Sequence, residues 1–210
     1  MKRLIVLMFV LVIGLLGCSD SEEPLVKADG EEEPAKNELN INEISDDDVV
    51  ATIHGHEITG KDLKYEMKRL ELISLLQGEK VPYEEISPQV AIQEMIQNHM
   101  IEMMASEKGI AVNTIEQEER AEAVRAEVEA VEGYETVMEG IDEELFWSKE
   151  EARYEIILQA ETIVLQLMED LQESHPTYDE QALRFDALED FDELIREMVA
   201  ETEIEVLVAR

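Results

Sequence analysis

Val49-Val50-Ala51-Thr52-Ile53-His54-Gly55-His56-Glu57-Ile58-Thr59 decides the fold. Val49 to Ile53 is a β-prone run, His54-Gly55 supplies turn chemistry, and His56-Glu57-Ile58 follows it. Thr59 with Asp62 three residues on is the signature of a helix N-terminus. At the far end of the chain, Ile204, Val206 and Val208 alternate as a strand does. A short β segment is not stable alone in water, so the first and last segments are expected to pair. That pairing brings the ends of the folded region together, with helices projecting from a small sheet. The expected fold is mainly α, with an antiparallel β pairing between the N-terminal and C-terminal strands.

Between those segments the apolar spacing is helical. Leu63, Met67, Leu70, Ile73 and Leu76 mark a helix ending near Gly78. Ser87-Pro88 places an N-cap before a first-turn proline, opening a helix that Gly109-Ile110 stops. Asn113 and Glu116 form the next capping pair, for an acidic helix to about Glu132. A turn around Tyr134 to Glu139 leads past Gly140 into a long helix over about 142–173, which Pro176 breaks. The last helix is expected from about Asp179 to Glu201.

Composition removes several function classes. The chain has 210 residues, 52 acidic against 17 basic, a formal net charge of −35, and one cysteine. A nucleic-acid binder needs a basic surface to displace counterions from phosphates, so nucleic acid is excluded as a partner. One cysteine makes neither a disulfide framework nor a zinc cluster, and no phosphate-cradling glycine loop is present. No cofactor is implied.

The first 48 residues carry the location. Met1-Lys2-Arg3 is a positive head, and the apolar run over 4–16 is too short to span a bilayer, which needs about 20 residues. Leu15-Leu16-Gly17-Cys18 resembles the bacterial lipobox, in which the cysteine is diacylated and becomes the new N-terminus. Residues 1–17 are then a lipoprotein signal peptide, and Cys18 is the lipid attachment site. The membrane is a partner through that anchor, and the protein lies on the extracytoplasmic face. Residues 18–48 hold 12 acidic residues and two lysines and are expected to be a disordered tether. Asp46-Asp47-Asp48 lacks the alternating ligands and turn glycine of a calcium loop and is expected to be solvated. The folded domain is expected over 49–210.

The order of these elements resembles the N-terminal chaperone module of the SurA and PrsA foldases. The likeness rests on Val50 to Thr59, on Ile92 to Ile101 leading into Ala105-Ser106-Glu107-Lys108-Gly109-Ile110, on residues 112–120, and on Gly140-Ile141-Asp142-Glu143-Glu144-Leu145-Phe146-Trp147. It covers about residues 49–172, and 179–210 resembles the C-terminal arm that completes such a module. The resemblance implies binding of unfolded or newly exported polypeptides without ATP. In full foldases a parvulin domain usually separates the long helix from the returning arm; here only a few residues bridge that gap. The expectation is therefore a non-enzymatic chaperone. The alternatives are a divergent peptidyl-prolyl isomerase and a structural or regulatory lipoprotein holding one specific partner.

Among single residues, the methionines and adjacent aromatics are candidates for client contact. Thioethers repack around varied apolar partners, which makes Met95, Met100, Met103 and Met104 either such a surface or core filling. Phe146 and Trp147 are adjacent on a helix, so both cannot face the same neighbour; one of them lines a groove, or both pack. His54 and His56 flank a glycine, which suits a turn better than a metal site. His99 falls on the apolar stripe of its helix and is expected to be a hydrogen-bonded core residue. The glutamate pairs at helical spacing are expected on solvated faces. Replacing Cys18 (Cys18→Ser) should abolish incorporation of labelled palmitate and move the protein from the membrane fraction to the soluble fraction on cell fractionation.

Overall fold

The computed structural model describes residues 41–78 and 81–207. Strand β1 (Val49–Ile53) and strand β2 (His56–Thr59) form a hairpin, and six helices follow. These are α1 (Gly60–Leu76), α2 (Pro88–Lys108), α3 (Thr114–Glu129), the short α4 (Tyr134–Val137), α5 (Glu143–Ser174) and α6 (Glu180–Glu201). Strand β3 (Ile204–Val206) ends the described chain, and the sheet order is β2-β1-β3, antiparallel throughout. The expected pairing of the first and last strands is therefore present, with Ile53 opposite Ile204 and Ala51 opposite Val206. Val208, expected to extend β3, lies outside the described residues, as do the signal peptide, Cys18 and residues 19–40.

Local chemistry explains most element boundaries. The hairpin closes through His54 and Gly55, both at positive φ (49° and 80°). Two such residues in a two-residue loop give the backbone twist that matches the twist of the flanking strands. Thr59 Oγ1 accepts the Asp62 amide while the Asp62 carboxylate accepts the Thr59 amide, a complete capping box. Ser87, Asn113, Asp142 and Asp179 cap α2, α3, α5 and α6 through their side chains. Asn113 does so without its expected partner, because Glu116 turns to Arg120 at 2.9 Å instead. Gly109, at φ 66°, stops α2, and Ile110 donates back to the Ala105 carbonyl at 2.9 Å. The 32 residues of α5 make it about 48 Å long. Only residues 175–179, with Pro176 among them, separate it from α6.

The main core lies under the sheet. Val50, Ala51 and Ile53 are fully buried against Leu63 and Met67 of α1, Ile92, Ile96 and Met100 of α2, Ile163 of α5, and Ile195 and Val199 of α6. A second cluster gathers Leu72, Val128, Tyr134, Met138, Phe146 and Trp147 at the other end of α1.

The folded body begins by residue 41 rather than 49. Ile41, in a single 3₁₀ turn (Ile41–Glu43), and Ile44 are both buried in the main core. The acidic triplet is solvated as expected, but it forms a docked turn and not a free spacer. The Gly60 and Lys61 amides, unsatisfied donors at the start of α1, give hydrogen bonds to the Asp48 and Asp46 carbonyls at 2.7 and 3.0 Å. The Asp46 carboxylate also pairs with Lys64 at 2.7 Å. The two isoleucines escaped notice because two apolar residues in an acidic stretch form no period.

Gly60 is what allows this approach. A Cβ there would stand 2.1 Å from the Ser45 carbonyl oxygen and 2.7 Å from Ile44 Cγ2. Gly60→Ala should cost about 1–3 kcal/mol in urea unfolding, as overpacking does. It should also speed amide exchange at Gly60 and Lys61 without changing far-ultraviolet circular dichroism.

Candidate binding cleft and buried charge network

Of the methionines proposed for client contact, Met100 and Met104 are buried in the main core, and Met95 and Met103 pack half-buried against it. Of the two readings open for these four, core filling fits this burial, since α2 packs against the sheet, α1, α5 and α6. Met95 also lines an open cleft.

Phe146 and Trp147 are both buried, as the packing alternative expects, and the covered Trp147 also borders a surface pocket of about 370 Å³ between α3 and α5. They manage this because α5 is covered on two sides. Phe146 packs on Tyr65 of α1, ring centroids 5.3 Å apart. Trp147 turns toward α3 and α4, where its Nε1 donates to the Tyr134 hydroxyl at 3.0 Å and the Arg125 guanidinium lies 5.4 Å over its ring. Adjacent residues are some 100° apart on a helix, so each takes a different neighbour.

The open cleft, about 350 Å³, lies where the sheet meets α1, α2 and α5. Ile53, Ile58, Met95 and Ile156 supply apolar walls, and Asp62, His99, Glu102, Lys149 and Arg153 supply polar ones. His56 and His99 stack there, 5.2 Å between centroids and 13° between planes. His99 is thus half-buried at a cleft wall, with Glu102 3.6 Å away, and not the core residue expected. Burial, then the neighbouring His56 and His54, hold its pKa below the usual histidine value. Burial raises the Glu102 carboxyl, against a smaller opposing effect of His56. His54 sits in the hairpin turn, and no cluster of three or more metal-ligating side chains occurs among the described residues.

Behind the cleft lies a charge network that the sequence pattern concealed. Arg69 of α1, 2% exposed, meets the Glu66 carboxylate through Nε at 2.9 Å and Nη2 at 2.7 Å, and reaches Glu94 of α2 at 3.4 Å. Arg153 of α5 lies 3.5 Å from Glu66 and 3.6 Å from Glu94. Tyr65 donates its hydroxyl to Glu150, which is also buried. At the rim, Lys149 pairs with Asp62 at 2.8 Å and covers the Tyr65 ring. One polar core thus ties three helices together.

The protonation states follow from opposing effects. Burial pushes the Glu66 carboxyl up, but the charges of Arg69 and Arg153 outweigh it and hold its pKa below the usual value. Tyr65 is pushed far up, first by burial and then by the Glu150 charge, so it stays a neutral donor. These carboxylates serve cations and a phenol, so they are structural anchors. Glu66, Glu94 and Glu150 are exceptions to the expected solvated faces, which most of the described glutamates do occupy. A signal was available: Glu66 follows Leu63 by three residues on the apolar stripe of α1, with Arg69 three residues further on.

Comparison with family models, with curated proteins and with solved structures finds no match to the chain.

Replacing Arg69 by methionine should destabilise the fold by about 3–5 kcal/mol at pH 7, because it strands buried carboxylates. The pH dependence should also change sign. In the natural chain Glu66 titrates below its unfolded value, so its contribution is present above about pH 4.5 and is lost as pH falls through the lower folded value. Without the guanidinium its folded pKa should rise above the unfolded one, so stability should grow on mild acidification and decline as pH rises. Urea unfolding from pH 4 to 8 reads both slopes.

Proposed function

We propose that the protein is a lipid-anchored, extracytoplasmic chaperone that binds unfolded or newly exported polypeptides without ATP. The observation that carries this reading is the return of β3 to β1, which closes the chain as the resemblance to the SurA and PrsA chaperone module requires. The five-residue link between α5 and α6 leaves no space for a catalytic insert at that point, which weighs against the isomerase alternative. Large apolar side chains remain on the outer faces of three helices: Ile115 of α3 is 64% exposed, Leu165 of α5 58%, and Phe185 of α6 68%. These suit weak, repeated contact with apolar segments, while the net charge of −35 keeps a loaded complex soluble. Lipidation of Cys18, with the acidic stretch as a spacer, would hold this body near the site of export.

The full-length protein in mild detergent should suppress aggregation of several unrelated unfolded proteins at a few-fold molar excess, read by light scattering without nucleotide. No suppression across all of them would overturn the reading. Suppression of one client alone would favour the single-partner alternative.

A further inference from the structure

Among the described residues the sheet has an open edge, and its chemistry specifies what would pair with it. In the β1–β3 ladder the His54 amide donates to the Glu203 carbonyl at 2.8 Å and the Leu207 amide to the Val50 carbonyl at 2.9 Å. With Ile53 opposite Ile204 and Ala51 opposite Val206, the hydrogen-bonding groups of residues 203, 205 and 207 face β1. Those of Ile204 and Val206 face away, and no described element takes them up. The side chains of Ile204 and Val206 pack half-buried against the main core, whereas Glu203, Glu205 and Leu207 are exposed. One face of the edge is thus apolar and continuous with the core, and the other carries two carboxylates two residues apart.

We infer that the free edge of β3 is a docking site for an extended basic polypeptide segment, added as a fourth strand beside Ile204 and Val206. The inference rests on the chaperone reading for its biological sense and names the client class. Main-chain hydrogen bonds would hold the segment irrespective of its sequence, as strand addition does. Side-chain alternation sets the preference: residues beside Glu203 and Glu205 should be Lys or Arg, and those between them should be aliphatic, extending the face formed by Ile204 and Val206. A second copy of this chain is the wrong occupant. Pairing β3 with itself would bring Glu203 and Glu205 of two copies together, and acidic residues at an edge act against self-pairing. Each copy would also bring its own large negative charge.

Hydrogen exchange of the full-length protein in detergent micelles tests this directly, with two twelve-residue probes: alternating Lys–Val and alternating Glu–Val. The Lys–Val peptide should slow exchange at Ile204 and Val206 by about tenfold or more, and the Glu–Val peptide should not. Val206→Pro removes the outward N–H while leaving every β1–β3 bond in place, and should weaken Lys–Val binding by about tenfold. Should that variant lose β3 altogether, the pair Glu203→Lys with Glu205→Lys leaves the backbone untouched and should reverse the preference toward Glu–Val. Three results would overturn the inference. These are no slowing at Ile204 and Val206 with Lys–Val, amides already protected in the free chain by its own residues or by a second copy, and an unreversed preference in the double variant. Aggregation suppression by a protein whose edge ignores the peptide would defeat this inference alone. Edge protection without suppression would instead defeat the chaperone reading.

Discussion

A buried strand must have its backbone satisfied on both sides, and the structure depends on how β1 meets that demand. Val50, Ala51 and Ile53 are sealed from water, so an unpaired amide or carbonyl there would cost about what a lost hydrogen bond costs. The His54-Gly55 turn supplies one partner strand locally. The other comes from residues 204–206, about 150 positions away, after six helices. That closure is non-local, so it becomes favourable only once the intervening helices hold the chain ends close. The cap at Thr59, the glycine stop at Gly109 and the short link over 175–179 therefore matter for topology as well as for local stability.

The helices are held in register by a polar lock as well as by apolar packing. Arg69 and Arg153 share the carboxylates of Glu66 and Glu94, and Tyr65 reaches Glu150, so α1, α2 and α5 meet around one set of charges. Such a network adds less to stability than apolar residues of the same volume would, because each ion is first stripped of water. Its geometry is more demanding, since a helix slipped by one turn would strand a charge. The same acidic chain thus uses its carboxylates in two ways. Most repel one another in solvent, and a few are neutralised inside by the scarce arginines.

Legibility in the sequence divides along physical lines. Helix starts at Thr59, Ser87, Asn113, Asp142 and Asp179 were readable because a cap is a contact within four residues. The positive φ at His54 was readable because a two-residue hairpin loop demands it. The burial of Ile41 and Ile44 was not, since docking against Gly60 depends on a gap left by a missing side chain elsewhere. The methionines of α2 were ambiguous because the same apolar stripe serves a core or a groove, and only the covering elements distinguish the two. Phe146 and Trp147 were ambiguous for a related reason: two partners on different flanks of α5 are invisible from one helix.

What the sequence by itself determined is local and periodic: the mainly helical class, the strand at each end, the caps and stops, and the acidic excess. Each is set by interactions over a few residues or by a simple sum of charges. Tertiary structure alone decided which glutamates are buried, which apolar residues are core, where the cleft opens and which sheet edge no described strand covers. Those properties depend on what lies opposite a residue in space, and that is settled only when distant segments pack together.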